Sequence, residues 1–92
     1  MSMQIEHDTA AMRFSTRVDG EEAELVYRLR EGRMIIEHTG VPEAIGGRGI
    51  AGQLVKAALE FARGEGLRVV PACSYSEAYV RRHPEYAGLV DA

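Results

Sequence analysis

The chain has 92 residues, 46% of them hydrophobic and 27% charged, with a formal net charge of −3 and one cysteine. A chain this short makes one domain, expected over residues 1–92, with a modest core. The lack of a basic excess argues against nucleic acid or a membrane surface as a partner, and no apolar run approaches the length of a membrane span. Cys73 stands alone, so no internal disulfide can form, which fits a reducing compartment. Residues 1–11 carry Glu6, His7 and Asp8 and lack the apolar stretch of a signal peptide, so a cytoplasmic location is expected.

The first half reads as strands. Residues 5–8 predict a short edge strand. Met12, Phe14, Thr16 and Val18 alternate with Arg13, Ser15 and Arg17, the period of a half-buried strand. Asp19-Gly20 is a hairpin signal. Ala23, Leu25, Tyr27 and Leu29 alternate with Glu22, Glu24, Arg28 and Arg30, broken only at Val26. Glu31-Gly32 marks a second turn, and residues 34–41 a third main strand, more polar at Glu37, His38 and Thr39.

The period then changes. Ile50, Leu54, Val55, Ala58, Phe61 and Ala62 fall on one helical face, with Gln53, Lys56, Glu60 and Arg63 opposite. Gly64 and Gly66 are expected to stop this helix. Residues 67–72, bounded by glycine and Pro71, read as a fourth main strand. Residues 74–82 read as a second helix with Tyr75, Ala78 and Tyr79 on one side, ended by His83-Pro84. Residues 85–92 form a closing segment. The order strand, turn, helix, strand makes a crossover that places the third and fourth main strands side by side and parallel. The class is therefore α+β: a mixed, mostly antiparallel sheet with a glycine-turn and helix crossover and a second C-terminal helix.

Between the third strand and the first helix lies Gly46-Gly47-Arg48-Gly49-Ile50-Ala51-Gly52, followed by Gln53. The run has two readings. It is a flexible connection, or it is a phosphate site built from closely approaching backbone and the unpaired N–H groups of a helix start. No Gly-Lys-Ser/Thr follows, so it is not a P-loop. Its mid-chain position and the apolar Val69-Val70 region do not fit a dinucleotide fingerprint. Arg48 would add positive charge. The turn and Cys73 would both lie at C-terminal ends of parallel strands and so face one crevice.

Taken together, these residues resemble the GNAT superfamily of N-acetyltransferases, whose pyrophosphate motif is Gln/Arg-x-x-Gly-x-Gly/Ala. Gly49 and Ala51 fill the small positions, and Gly46 stands where that family has glutamine or arginine. The likeness is closer to minimal members of about this length. It rests on His38-Thr39-Gly40-Val41-Pro42, Gly47-Arg48-Gly49-Ile50-Ala51, Pro71-Ala72-Cys73-Ser74-Tyr75, and the run of Tyr79 through His83-Pro84-Glu85-Tyr86. The resemblance implies a GNAT-like fold, acetyl-CoA or CoA as cofactor, and acetyl transfer to an amine of a small molecule or a protein. It also implies that the Val41 backbone bonds the pantetheine arm. The glycine turn and amides 48–53 would hold the pyrophosphate, and the acetyl group would sit near Cys73 where the third strand splays from the fourth. The small size is compatible with a monomer.

Acetyl transfer needs a neutral amine, a polarised thioester carbonyl and a proton for the departing thiolate. Cys73, ahead of a helix, reads as a nucleophile with a lowered pKa or as a semi-buried apolar filler. Tyr79 occupies the place of a tyrosine that protonates the leaving thiolate in many GNAT enzymes, and otherwise reads as a core aromatic. His38 reads as a base or substrate-orienting group, or as a histidine satisfied locally. Tyr75 is expected to pack, His83 to serve a turn, and His7 to lie on the surface. The histidines and Cys73 are too scattered for a metal site. No helical pattern is expected ahead of the first strand, where the resemblance implies that larger GNAT members carry helices that shape the acceptor site. That leaves a non-catalytic CoA-binding or protein-interaction module of the same fold as the alternative to an enzyme.

Overall fold

The computed structural model describes residues 4–91; the two ends of the expected 1–92 domain lie outside them. The strands are β1 (Ile5–Asp8), β2 (Arg13–Val18), β3 (Glu21–Arg30), β4 (Arg33–Gly40) and β5 (Arg68–Pro71). Helix α1 (Ile50–Glu65) joins β4 to β5, α2 (Ser74–Arg82) follows β5, and 3₁₀ turns span Glu43–Ile45 and Pro84–Leu89. The five strands lie in the order β1-β2-β3-β4-β5. Neighbours are antiparallel up to β4, and β4 pairs with β5 in parallel. This is the expected α+β class.

Local sequence explains the meander. Asp19 and Gly20 have φ of 50° and 78°, and Glu31 and Gly32 have φ of 52° and 77°. Two positive φ values in a two-residue loop match the right-handed twist of the flanking strands. Alternation in β2, β3 and β4 turns Phe14, Thr16, Ala23, Leu25, Tyr27, Met34 and Ile36 inward. They bury against Ile50, Leu54, Val55, Ala58, Leu59 and Ala62 of α1, which crosses the sheet from β2 to β5. The opposite face over β2 and β3 carries ion pairs, among them Arg13–Glu24 at 2.9 Å and Arg28–Glu37 at 3.2 Å.

Several details depart from the sequence reading. Gly64 lies inside α1; Gly66 alone ends it, at φ 70°, with its N–H on the Ala62 and Arg63 carbonyls. In α2, Ala78 is exposed and Ser76 is the fully buried residue, with Tyr79 and Val80 packed against the core beside it. His7 is half-buried rather than exposed. Its pairing with Phe14 turns it inward, where its ring stacks on Phe14 at 3.9 Å and meets the edge of Phe61 at 4.4 Å. Its Nε2 lies 2.7 Å from the Tyr27 hydroxyl.

The chain end is fastened as well. Val90 bridges Val69, the Asp91 N–H donates to the Val69 carbonyl at 2.8 Å, and the Asp91 carboxylate accepts from Arg33 at 2.7 Å. No helix of the described residues is long and apolar enough to cross a membrane.

Candidate active site

The site begins where β4 and β5 stop pairing. Their last matched residues are Ile36 and Pro71. Beyond them the amides of Ala72 and Cys73 both donate to the Ile36 carbonyl, at 3.0 and 3.1 Å. The chain then turns into α2 while β4 runs on to Gly40. The two strands stop pairing here.

A bulge decides which side chain of β4 faces Cys73. Val26 pairs with His38 but Tyr27 pairs with Ile36, so Glu37 has no counterpart in β3. Past the bulge, Thr39 pairs with inward-facing Leu25, and His38 pairs with Val26 on the other face. His38 is exposed, with its Nε2 3.9 Å from a Glu24 carboxylate oxygen. The structure therefore does not bring His38 together with Cys73; Thr39, which the sequence reading left without a role, takes that place.

Cys73 is the N-cap of α2 and is half-buried. Its Sγ lies 3.5 Å from Thr39 Oγ1, donates to Ser76 Oγ at 3.1 Å, and accepts from the Ser76 N–H at 3.4 Å. Burial pushes the thiol pKa up, but hydrogen bonds from Ser76, Thr39 and the amides of Ser76 and Tyr75 outweigh it and leave the thiol below its ordinary value.

The glycine turn lies on the path from β4 to α1. Buried Ile45 anchors it, and Gly47 and Gly49 have φ of 78° and 75°. A Cβ at either would meet nothing within 4 Å, so backbone conformation and not space calls for glycine there. Gly49 is the N-cap of α1 and carries no side-chain cap. Helical bonding starts with the Gln53 N–H on the Gly49 carbonyl at 3.1 Å, which leaves the amides of Ile50, Ala51 and Gly52 ahead of it. Arg48 extends away to the β2–β3 hairpin, where its guanidinium donates to Asp19 at 2.6 Å. Its charge is thus matched by a carboxylate rather than held free over the turn.

The tyrosines of α2 meet this turn. A Cβ at Gly52 would come within 3.3 Å of the Tyr75 hydroxyl and 3.5 Å of the Tyr79 ring. Gly52 therefore permits the close approach of the two helix starts. Tyr75 is 42% exposed instead of packed away. The Tyr79 ring stacks on His83 at 4.0 Å. Burial, with Glu85, Tyr75 and Glu60 nearby, raises its pKa and keeps the phenol protonated at neutral pH.

Comparison with known proteins agrees with this geometry. The family model for GCN5-related N-acetyl-transferases matches residues 13–89. The chain belongs to that family. It is 40% identical over 85 residues to Protein NATD1 of Gallus gallus, covering 89% of this chain and 77% of that protein. Protein NATD1 of Homo sapiens is 39% identical, with 89% and 75% covered. The NMR solution structure of a GCN5-like protein from Staphylococcus aureus superposes with a TM-score of 0.77 at 27% identity, covering 97% of this chain and 88% of that one.

GCN5-related enzymes generally use acetyl-CoA, and the residues present fit such a group. The turn offers side-chain-free backbone and leading helix amides to an anion. Beyond the last β4–β5 pair stands the Cys73 thiol, and the same helix carries the Tyr79 phenol, protonated at neutral pH.

Proposed function

We propose that this family member transfers acetyl from acetyl-CoA to an amine. The observation that carries the reading is that Cys73 caps α2 just where β4–β5 pairing ends, while the start of α1 at Gly52 lies against Tyr75 and Tyr79 of the same helix. In this reading the Gly46-Gly47 turn and the amides of Arg48, Gly49, Ile50, Ala51, Gly52 and Gln53 hold the pyrophosphate, and the Val41 backbone takes the pantetheine arm. Acetyl-CoA, when bound, supplies the activated thioester.

The remaining chemistry belongs to the chain. Cys73 takes the acetyl group onto Sγ as its thiolate forms the new C–S bond and the old one breaks. Tyr79 gives its proton to the departing thiolate. The neutral amine then displaces Sγ, forming the amide and restoring the Cys73 thiolate, and the proton it sheds returns to the Tyr79 phenolate. His38, beside Glu24 on the other face of β4, stands away from Cys73 and has no part in the transfer.

The test is titration of acetyl-CoA into labelled protein by NMR, followed by intact mass. The expected result is shifts at amides 48–53 and Cys73, with a gain of one acetyl group. Cys73→Ala should still bind CoA and gain no acetyl. Absence of shifts at saturating acetyl-CoA rejects the cofactor site, and an adduct that persists on Cys73→Ala rejects the covalent route.

A further inference from the structure

We propose that Thr39 and Ser76 are positioning residues that hold the Cys73 sulfur in its thiolate form; the inference rests on the reading of Cys73 as the acetyl acceptor. Two separate elements converge on this one atom. Thr39 Oγ1 reaches it from β4 at 3.5 Å, beyond the last β4–β5 pair. Ser76 reaches it from the first turn of α2 with both its N–H, at 3.4 Å, and its Oγ, at 3.1 Å.

The proton positions can be followed. In the thiol form the S–H points at Ser76 Oγ, whose own hydrogen goes to the Cys73 carbonyl at 3.0 Å. Loss of the thiol proton turns the sulfur into an acceptor. The Ser76 N–H already points at it, and the Thr39 O–H is free to donate to it. The Ser76 O–H can swing from the carbonyl to the sulfur. Each such bond favours the charged form.

Ser76 is fully buried, so its donor positions do not exchange with solvent. Thr39 is β-branched, which restricts its rotamer, and it faces the sulfur only because of the bulge at Glu37. Without that extra residue, position 39 would fall on the opposite face. The bulge, the threonine and the capped helix therefore act together on the thiol.

The test measures iodoacetamide alkylation of Cys73 against pH, without acetyl-CoA, on folded wild type, Thr39→Val, Thr39→Ser and Ser76→Ala. Thr39→Val should raise the midpoint by about one pH unit, slowing alkylation about tenfold near neutral pH. Thr39→Ser should restore the wild-type midpoint, and Ser76→Ala should also raise it. A wild-type midpoint in Thr39→Val overturns the inference, as does Thr39→Ser shifting as far as Thr39→Val. If Thr39→Val does not fold, the Ser76→Ala midpoint decides in the same way. Because acetyl-CoA is absent, the outcome is separate from the enzymatic reading. Shifted midpoints with no acetyl adduct on the wild type would reject that reading alone.

Discussion

Gly49→Asp should weaken CoA binding through charge, and Gly49→Asn separates charge from backbone strain. Position 49 sits at φ 75°, and a Cβ there meets no atom within 4 Å. Both variants thus pay only for a left-handed backbone, about 1 kcal/mol, which lowers Tm by about 4–8 °C in a domain of this size. Asn and Asp tolerate that conformation better than other residues, and nearly equally. Their difference in binding is then electrostatic. A carboxylate roughly 6 Å from a pyrophosphate, at an effective dielectric of roughly 40, loses about 2 kcal/mol after screening, roughly thirtyfold in Kd. Calorimetric titration with CoA and with pantetheine, which lacks the pyrophosphate, provides the measurement. Gly49→Asp should bind CoA far more weakly than Gly49→Asn does, with pantetheine affected equally in both. Equal CoA affinities in the two variants would refute the assignment of the anion to these amides.

Two further outcomes concern stability. Tyr86 is 3% exposed and its hydroxyl donates to Glu60 at 2.6 Å; burial and that carboxylate push its pKa up to about 12. Tyr86→Phe should cost about 1 kcal/mol, read as a lower urea midpoint at unchanged m-value, and an unmoved midpoint would count against the bond. Burial among Phe14, Phe61 and Tyr27 holds His7 below its ordinary value of 6.5, with Asp8 opposing weakly. The unfolded chain therefore takes up this proton first as pH falls, so the contribution is complete above 6.5 and declines below it. Thermal unfolding between about pH 7.5 and 5.5 should show a smaller acid loss in His7→Gln than in wild type; equal losses would assign the effect to other groups.

What was legible in the sequence was what local chemistry dictates. The two hairpins follow from Asp19-Gly20 and Glu31-Gly32, and the α1 face from its period, although Leu59 joins that face and Phe61 reaches only its margin. The parallel β4–β5 pair followed from the order of elements; that the two strands part was implied by the family resemblance alone. What escaped needs pairing across strands. His7 is half-buried because its partner is Phe14, and no local pattern announces that. One unmatched residue, Glu37, sends His38 to one face and Thr39 to the other, and a bulge leaves no mark in hydrophobic periodicity. The Arg48–Asp19 pair joins residues 29 positions apart, so its effect on the turn was invisible locally. Gly52 read as one more glycine of the run, whereas its own reason is the approach of Tyr75 and Tyr79.

The Ile36 carbonyl, which accepts from both Ala72 and Cys73, has a consequence for how a ligand enters. With two donors on one oxygen, the pairing of β4 and β5 has no next rung to form, and Pro71 brings no N–H of its own to extend it. The mouth is set by backbone bonds in the folded chain and not by whatever comes to fill it. A cofactor arriving there meets edges already tied back, so its binding free energy is not reduced by prying strands apart, and arrival need not wait for the protein to open.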